Sequence, residues 1–258
     1  MRFGCCMSLL DENLPRLAQA GADYAETGFT SLQELTLAQC REQAQQLEEA
    51  HLAVEVMNVL FPAALPLTGP QADLAAAADY LDRGLEKAAL FGTKKLVFGS
   101  GAARRVPEGF PREAAWEQLL TLCREVIAPR MERRGMVCCI EPLQKGECNI
   151  LNTCAEAFPL VRAVGSPGVR LLVDLYHFDL EGEPRPSLEH YRGYLCHAHI
   201  ASAKNGRLPP LPGDGEDYRE FFRHLAAAGY QGEVSLEGNM PGGLEQVKTS
   251  LAYLRSLL

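Results

Sequence analysis

Eight short, apolar, strand-forming runs recur along the 258 residues, each followed by a stretch whose apolar residues fall at helical spacing. Alternation of this kind builds parallel sheet, because a strand that returns parallel to its neighbour needs a crossover, usually a helix. The runs are Arg2 to Ser8, Asp23 to Gly28, Leu52 to Phe61, Lys95 to Phe98, Val137 to Glu141, Val169 to Asp174, Tyr194 to His199 and Glu233 to Glu237. Helices are expected over 14–20, 31–50, 73–92, 112–134, 153–164, 186–191, 217–228 and 244–257. No break in composition resembles a linker, so the reading is α/β, a single (β/α)8 barrel domain over residues 1–258. An open doubly wound sheet is the other architecture of this pattern. It carries a glycine-rich phosphate turn after its first strand, and none stands here; Gly99-Ser100-Gly101, after the fourth run, lacks the rest of that fingerprint.

The last four runs share a second feature. They end, in order, in Glu141, Asp174, His199 and Glu237. Leaving an ionised carboxylate at the end of an apolar strand costs several kcal/mol unless a cation meets it. In a barrel all strands point their carboxyl ends at one mouth, so the four groups would converge there. Carboxylate oxygens with one imidazole form the ligand set of one divalent cation, with Mn favoured and Mg, Co or Zn also suited. His197, two residues before His199, faces the same way one layer deeper, as a core histidine or one that supports a ligand from beneath. Glu26, near the end of the second run, either reaches the mouth or pairs under the loops.

Composition narrows the function. The net charge of −8 argues against a nucleic-acid partner, which needs a basic face. No apolar run reaches the ~18 residues that span a bilayer, and MRFGCCMSLLDENLP lacks the long apolar stretch of a signal peptide, so no membrane partner and a cytoplasmic address are expected. Nine cysteines, odd in number, with adjacent pairs and no CxxC, read as structural thiols.

The stretches IEPLQKGECNILNT, LLVDLYHF, CHAHIAS with GRLPPLPGDGEDYREFF, and VSLEGN resemble, in that order and over most of the chain, the xylose isomerase-like barrels: sugar phosphate isomerases and epimerases, ketose 3-epimerases and inosose isomerases. The resemblance implies metal ligation by Glu141, Asp174, His199 and Glu237, and substrate contacts by Glu147 and His177. It further implies a small sugar or sugar-derived substrate, and it leaves open a monomer or a homo-oligomer. The expected activity is a divalent-metal-dependent sugar isomerase or epimerase, with Glu141 and Glu237 passing a proton through a metal-stabilised enediolate. Ketose 3-epimerases place an arginine six residues after the His ligand; Asn205 stands there, and Arg207, with Lys204 nearby, is the substrate-binding candidate. Arg104 and Arg105, in the fourth loop, either hold a substrate phosphate or carboxylate or, as is commoner for such residues, stand as solvated loop cations.

Two neighbouring chemistries compete. A metal-dependent inosose or dehydroshikimate dehydratase would use the same enolate with a leaving hydroxyl, and a sugar-binding barrel would keep the site without turnover. An endonuclease-IV-like repair enzyme needs extra histidines after the third, fourth and seventh strands, where Asn58, Ser100 and the stretch Gly213 to Asp217 stand instead.

Overall fold

The computed structural model describes residues 1–258. Strands β1 (Arg2–Cys6), β2 (Tyr24–Gly28), β3 (Val54–Asn58), β4 (Lys95–Phe98), β5 (Val137–Ile140), β6 (Val169–Asp174), β7 (Leu195–Ile200) and β8 (Glu233–Leu236) pair in parallel in chain order. Pairing of Arg2 with Glu233 through Cys5 with Leu236 closes β8 onto β1, completing a (β/α)8 barrel.

Around it run α1 (Leu37–Glu49), α2 (Leu74–Ala88), α3 (Arg112–Thr121), α4 (Ala128–Arg134), α5 (Cys154–Val164), α6 (Leu175–Leu180), α7 (Tyr218–Ala227) and α8 (Gly243–Arg255). None is long and apolar enough to cross a membrane.

The segment expected as a helix over 186–191 is 3-10, Arg185–Tyr191, and α6 forms ahead of it, where none is expected, capped by Asp174. Three further helices differ from expectation for local reasons. The first, over 14–20, is only a 3-10 turn at Leu14–Arg16, whose Asn13 offers no side-chain cap and which Gly21 soon follows in the left-handed region. The second starts at Leu37 rather than 31, because Thr36 and Gln39 form a reciprocal capping box; residues Thr30–Glu34 before it make a separate 3-10 turn. The fourth passes through a π-helical segment, Leu122–Ile127, before α4, where Pro129 cannot donate to the turn behind it.

Side chains alternate between two apolar cores. Leu96, Phe98, Cys138, Ile140, Leu171 and Val173 belong to the large cluster under the helices, whereas Val97, Cys139 and Leu172, the residues between them, join Tyr24 and Val56 in a small separate cluster. Strands buried on both faces explain why these runs read as continuously apolar. Seven of the nine free thiols are buried, as structural cysteines should be, with Cys6 and Cys196 half-buried.

Tyr24 fills the barrel because residue 4 is glycine. A Cβ there would lie 2.3 Å from Cε2 of the ring, whose hydroxyl is held 2.9 Å from Ser235 Oγ. Gly4→Ala is therefore expected to overpack the interior and cost about 1–3 kcal/mol in urea unfolding; an unchanged midpoint would mean that the ring is free to move.

Candidate metal centre and active site

Four side chains meet at the carboxyl mouth. Glu141 follows the last residue of β5, Asp174 ends β6, His199 is next to last on β7, and Glu237 follows β8. One ligand atom from each, taken together, lies within 4.8 Å of every other. His199 Nδ1 is 2.9 Å from Glu141 Oε1 and 3.1 Å from Glu237 Oε2.

Local sequence explains each placement. Asp174 caps α6, its Oδ1 accepting from the Tyr176 amide at 2.8 Å, which turns Oδ2 toward the cluster. The first turn of α6 then lifts His177 over the same carboxylate, with Nε2 3.5 Å from Asp174 Oδ2. Glu141 finds room because Gly99, one residue past β4, has no Cβ to meet it. The loop after β5 is closed by Asn152, whose amide donates to the Leu143 and Cys148 carbonyls, and this sets Glu147 at the rim.

Arg207 ties the rim to the centre. Its guanidinium stands 2.7 Å from Glu237 Oε2, 3.3 Å from Glu147 Oε1 and 3.6 Å from Asp174 Oδ2, over the ring of Tyr176. The arginine backbone lies in the left-handed region at φ 62°, a strained conformation for a side-chain-bearing residue and one frequent at functional sites. Gly238 makes the loop's close approach possible, since a Cβ there would fall 2.1 Å from the Arg207 carbonyl oxygen.

The electrostatics are those of crowded acids. Burial and the neighbouring charge of Glu237 raise the Glu141 carboxyl above its usual range, and the same two causes raise Asp174 further. Burial also works against ionisation of Glu237, yet His199 and Arg207 prevail and pull it down to about 2. Burial disfavours a charged His199, but Glu26, Glu237 and Glu141 outweigh it and hold the imidazole well above its ordinary value.

Asp174 Oδ2 is buried without any hydrogen-bond partner. A buried carboxylate oxygen with no hydrogen-bond partner, set among two further carboxylates and an imidazole, fits a divalent cation, so Glu141, Asp174, His199 and Glu237 form a possible ligand cluster for one ion.

His177 has a defined tautomer. Its Nδ1 accepts from the Gln144 amide at 3.3 Å, which leaves Nε2 to carry the proton, and that buried nitrogen has no acceptor. Burial, helped by Arg207, pushes the imidazole down to about 3, so it is neutral near pH 7. A histidine whose folded value is depressed weakens the fold as pH falls from its unfolded value near 6.5 toward 3 and leaves stability untouched above it. The His177 ring should accordingly not titrate between pH 8 and 4.5 in nitrogen-15 spectra; a midpoint near 6 would contradict its burial.

Several sequence candidates land elsewhere than expected. Arg104 is no anion clamp: fully buried, it donates to the Phe98 and Glu141 carbonyls at 2.8 and 2.7 Å, fastening the ends of β4 and β5. Arg105 donates to the Glu147 carbonyl. Asn205 turns back onto Ser202 and the Asp214 carbonyl, leaving Arg207 as the arginine at the centre. Glu26 neither reaches the rim nor pairs under the loops; it lies fully buried inside the barrel, against His197 and His199. Its parity with Tyr24 along β2 was the available signal. Asn58, where a nuclease would need histidine, turns its amide toward Cys6 and Glu237 instead.

Beside the centre a cavity of about 350 Å³ opens between Asn58, Phe61, Ser100, Leu143, Glu147 and Arg207. That size suits a small molecule.

A family model described as a xylose isomerase-like TIM barrel matches residues 14–257. The chain is 30% identical to a 3-dehydro-D-guloside 4-epimerase of Escherichia coli K12 over 185 residues, 68% of this chain and 69% of that protein. It is 27% identical to an L-ribulose 3-epimerase of Mesorhizobium japonicum over 113 residues, 43% of this chain but only 37% of the relative. A crystal structure of D-psicose 3-epimerase in the presence of D-fructose covers 100% of the chain and is itself covered to 99%, with a TM-score of 0.86 at 19% identity. At that identity the likeness speaks for the fold.

Proposed function

This chain belongs to the xylose isomerase-like TIM barrel family, and from that premise we propose that it is an enzyme that epimerises or isomerises an uncharged keto-sugar, with one divalent cation, manganese foremost, as cofactor. The observation that carries the reading is the convergence of Glu141, Asp174, His199 and Glu237 beside a sugar-sized cavity. Relatives named as epimerases of a dehydro-guloside and of L-ribulose support the same reaction class.

With those four residues as ligands, the cation would polarise the substrate ketone and offset the charge that develops as the neighbouring C–H bond breaks. Glu141 and Glu237 reach the cavity from different strands, β5 and β8, and line it together. One carboxylate takes the proton and the other returns it, inverting the carbon or, with relay through oxygen, moving the carbonyl. His177 offers its unpartnered Nε2–H to a substrate oxygen. Arg207 and Glu147 hold the rim beside it and meet the substrate's hydroxyls.

The charge lining the cavity favours a neutral substrate. Arg207 is spent on carboxylates, Arg104 and Arg105 on backbone carbonyls, and the remaining charged groups of the lining are Glu141, Glu147 and Glu237. Apart from the catalytic metal, a phosphate would enter with no unpaired side-chain cation to meet it.

The test is incubation with Mn²⁺ and matched free and phosphorylated ketoses in deuterated water. Deuterium should appear at a carbon beside the carbonyl of the free sugar, and not in the phosphate ester. An absorbing enone would assign the barrel to the dehydratases instead, and binding without exchange would leave a sugar-binding protein.

A further inference from the structure

Inside the barrel, one layer below the four-residue cluster, Glu26 stands between two imidazoles. Its Oε1 is 2.9 Å from His199 Nε2 and its Oε2 2.9 Å from His197 Nε2, and all three side chains are at 0% exposure. No lysine or arginine lies within ion-pairing distance of this carboxylate.

Chemistry fixes the protons. An ionised carboxylate only accepts hydrogen bonds, so each nitrogen facing it carries hydrogen. His199 therefore donates from Nε2, and its other nitrogen, Nδ1, is the one turned toward Glu141 and Glu237. His197 cannot swing away. Its Nε2 also lies 3.3 Å from Ser235 Oγ, Ser235 is bonded to the Tyr24 hydroxyl at 2.9 Å, and Tyr24 is wedged where Gly4 leaves space. A column of polar contacts thus runs from the barrel interior up to the mouth and ends on the ring of His199.

We propose that Glu26 is the positioning residue of the metal centre: by holding the Nε2–H of His199, and being held in turn by His197, it dictates that Nδ1 presents its lone pair to the cation. Without that acceptor the ring is free to carry its proton on Nδ1, where it would bond Glu141 and have nothing to offer a metal. A carboxylate behind a ligand histidine sets its tautomer and raises its basicity, and its loss typically costs 10- to 100-fold in metal affinity.

The inference rests on the reading of Glu141, Asp174, His199 and Glu237 as metal ligands, and two measurements separate the two claims. Mn²⁺ affinity of the native protein and of Glu26→Leu, which removes both acceptor oxygens, read by competition with a chromophoric chelator, should differ by about 10- to 100-fold, with far-UV dichroism unchanged. In the Zn²⁺-loaded native protein, long-range proton–nitrogen correlation should find hydrogen on Nε2 of His199 and none on Nδ1. Tight binding by the native protein with equal affinity in Glu26→Leu would overturn the positioning role alone, whereas no binding by the native protein would remove the centre itself. Should Glu26→Leu fail to fold, hydrogen on His199 Nδ1 in the native Zn²⁺ form would still overturn the proposal.

Discussion

Glu237→Gln is expected to lower deuterium incorporation into a keto-sugar by about 10²- to 10⁴-fold, the usual worth of a positioned acid or base. The amide keeps the volume of the carboxylate, so packing against Asn58 is preserved. What is lost is an oxygen able to take a proton, one oxygen of the four-residue cluster and one partner of Arg207. Weakened metal binding should be made good by raising the Mn²⁺ concentration, whereas removal of an acid–base group should persist at saturating Mn²⁺ and flatten one limb of the pH–rate profile. Undiminished exchange in Glu237→Gln would remove the two-carboxylate mechanism.

Gly99→Ala is expected to weaken divalent-metal binding by about 10- to 100-fold, as much as deleting a supporting contact of a ligand. A Cβ at this position would lie 2.2 Å from Glu141 Oε2 and 3.3 Å from its Cδ. The backbone cannot yield easily. The Glu141 amide is bonded to the Phe98 carbonyl, and the Glu141 carbonyl accepts from buried Arg104. The carboxylate is therefore the part that moves, away from His199 and out of the cluster. Because the collision is at the mouth, the melting temperature of the metal-free protein should change little. Calorimetric titration with Mn²⁺ checks this, and an affinity equal to that of the native protein would show that Glu141 is not held where the geometry puts it.

Much of this arrangement was legible in the chain because its signals are local. Lys95 to Phe98 reads as a strand on its own composition, and the structure forms it there. The four cluster residues announce themselves as charges ending apolar runs, and parallel strands need no further information to bring them to one mouth. His177 follows from the turn of helix that Asp174 caps.

What escaped depends on contacts distant in sequence. Glu26 and His199 are 173 residues apart, and only closure of the barrel sets β2 across from β7. Arg104 looks like a loop cation until the carbonyls of Phe98 and Glu141 are seen to receive it. The helix expected over 14–20 has no cap to start it: Asn13 makes no cap bond, and a single 3-10 turn results. Arg207 is a candidate from the sequence, but its route to the centre is not legible there: it uses a left-handed backbone that no propensity rewards, made possible by a glycine 31 positions further on, Gly238.

The shared-ion claim is tested most directly by metal content after equilibrium dialysis against Mn²⁺, compared between the native protein and Asp174→Asn. In the variant the amide oxygen can keep capping Tyr176, which turns the NH₂ group, with no lone pair to give, toward the cluster in place of the bare Oδ2. The account predicts one ion per native chain and far less than one in Asp174→Asn at the same free concentration. No ion in the native protein, or an equal content in the two, would contradict it.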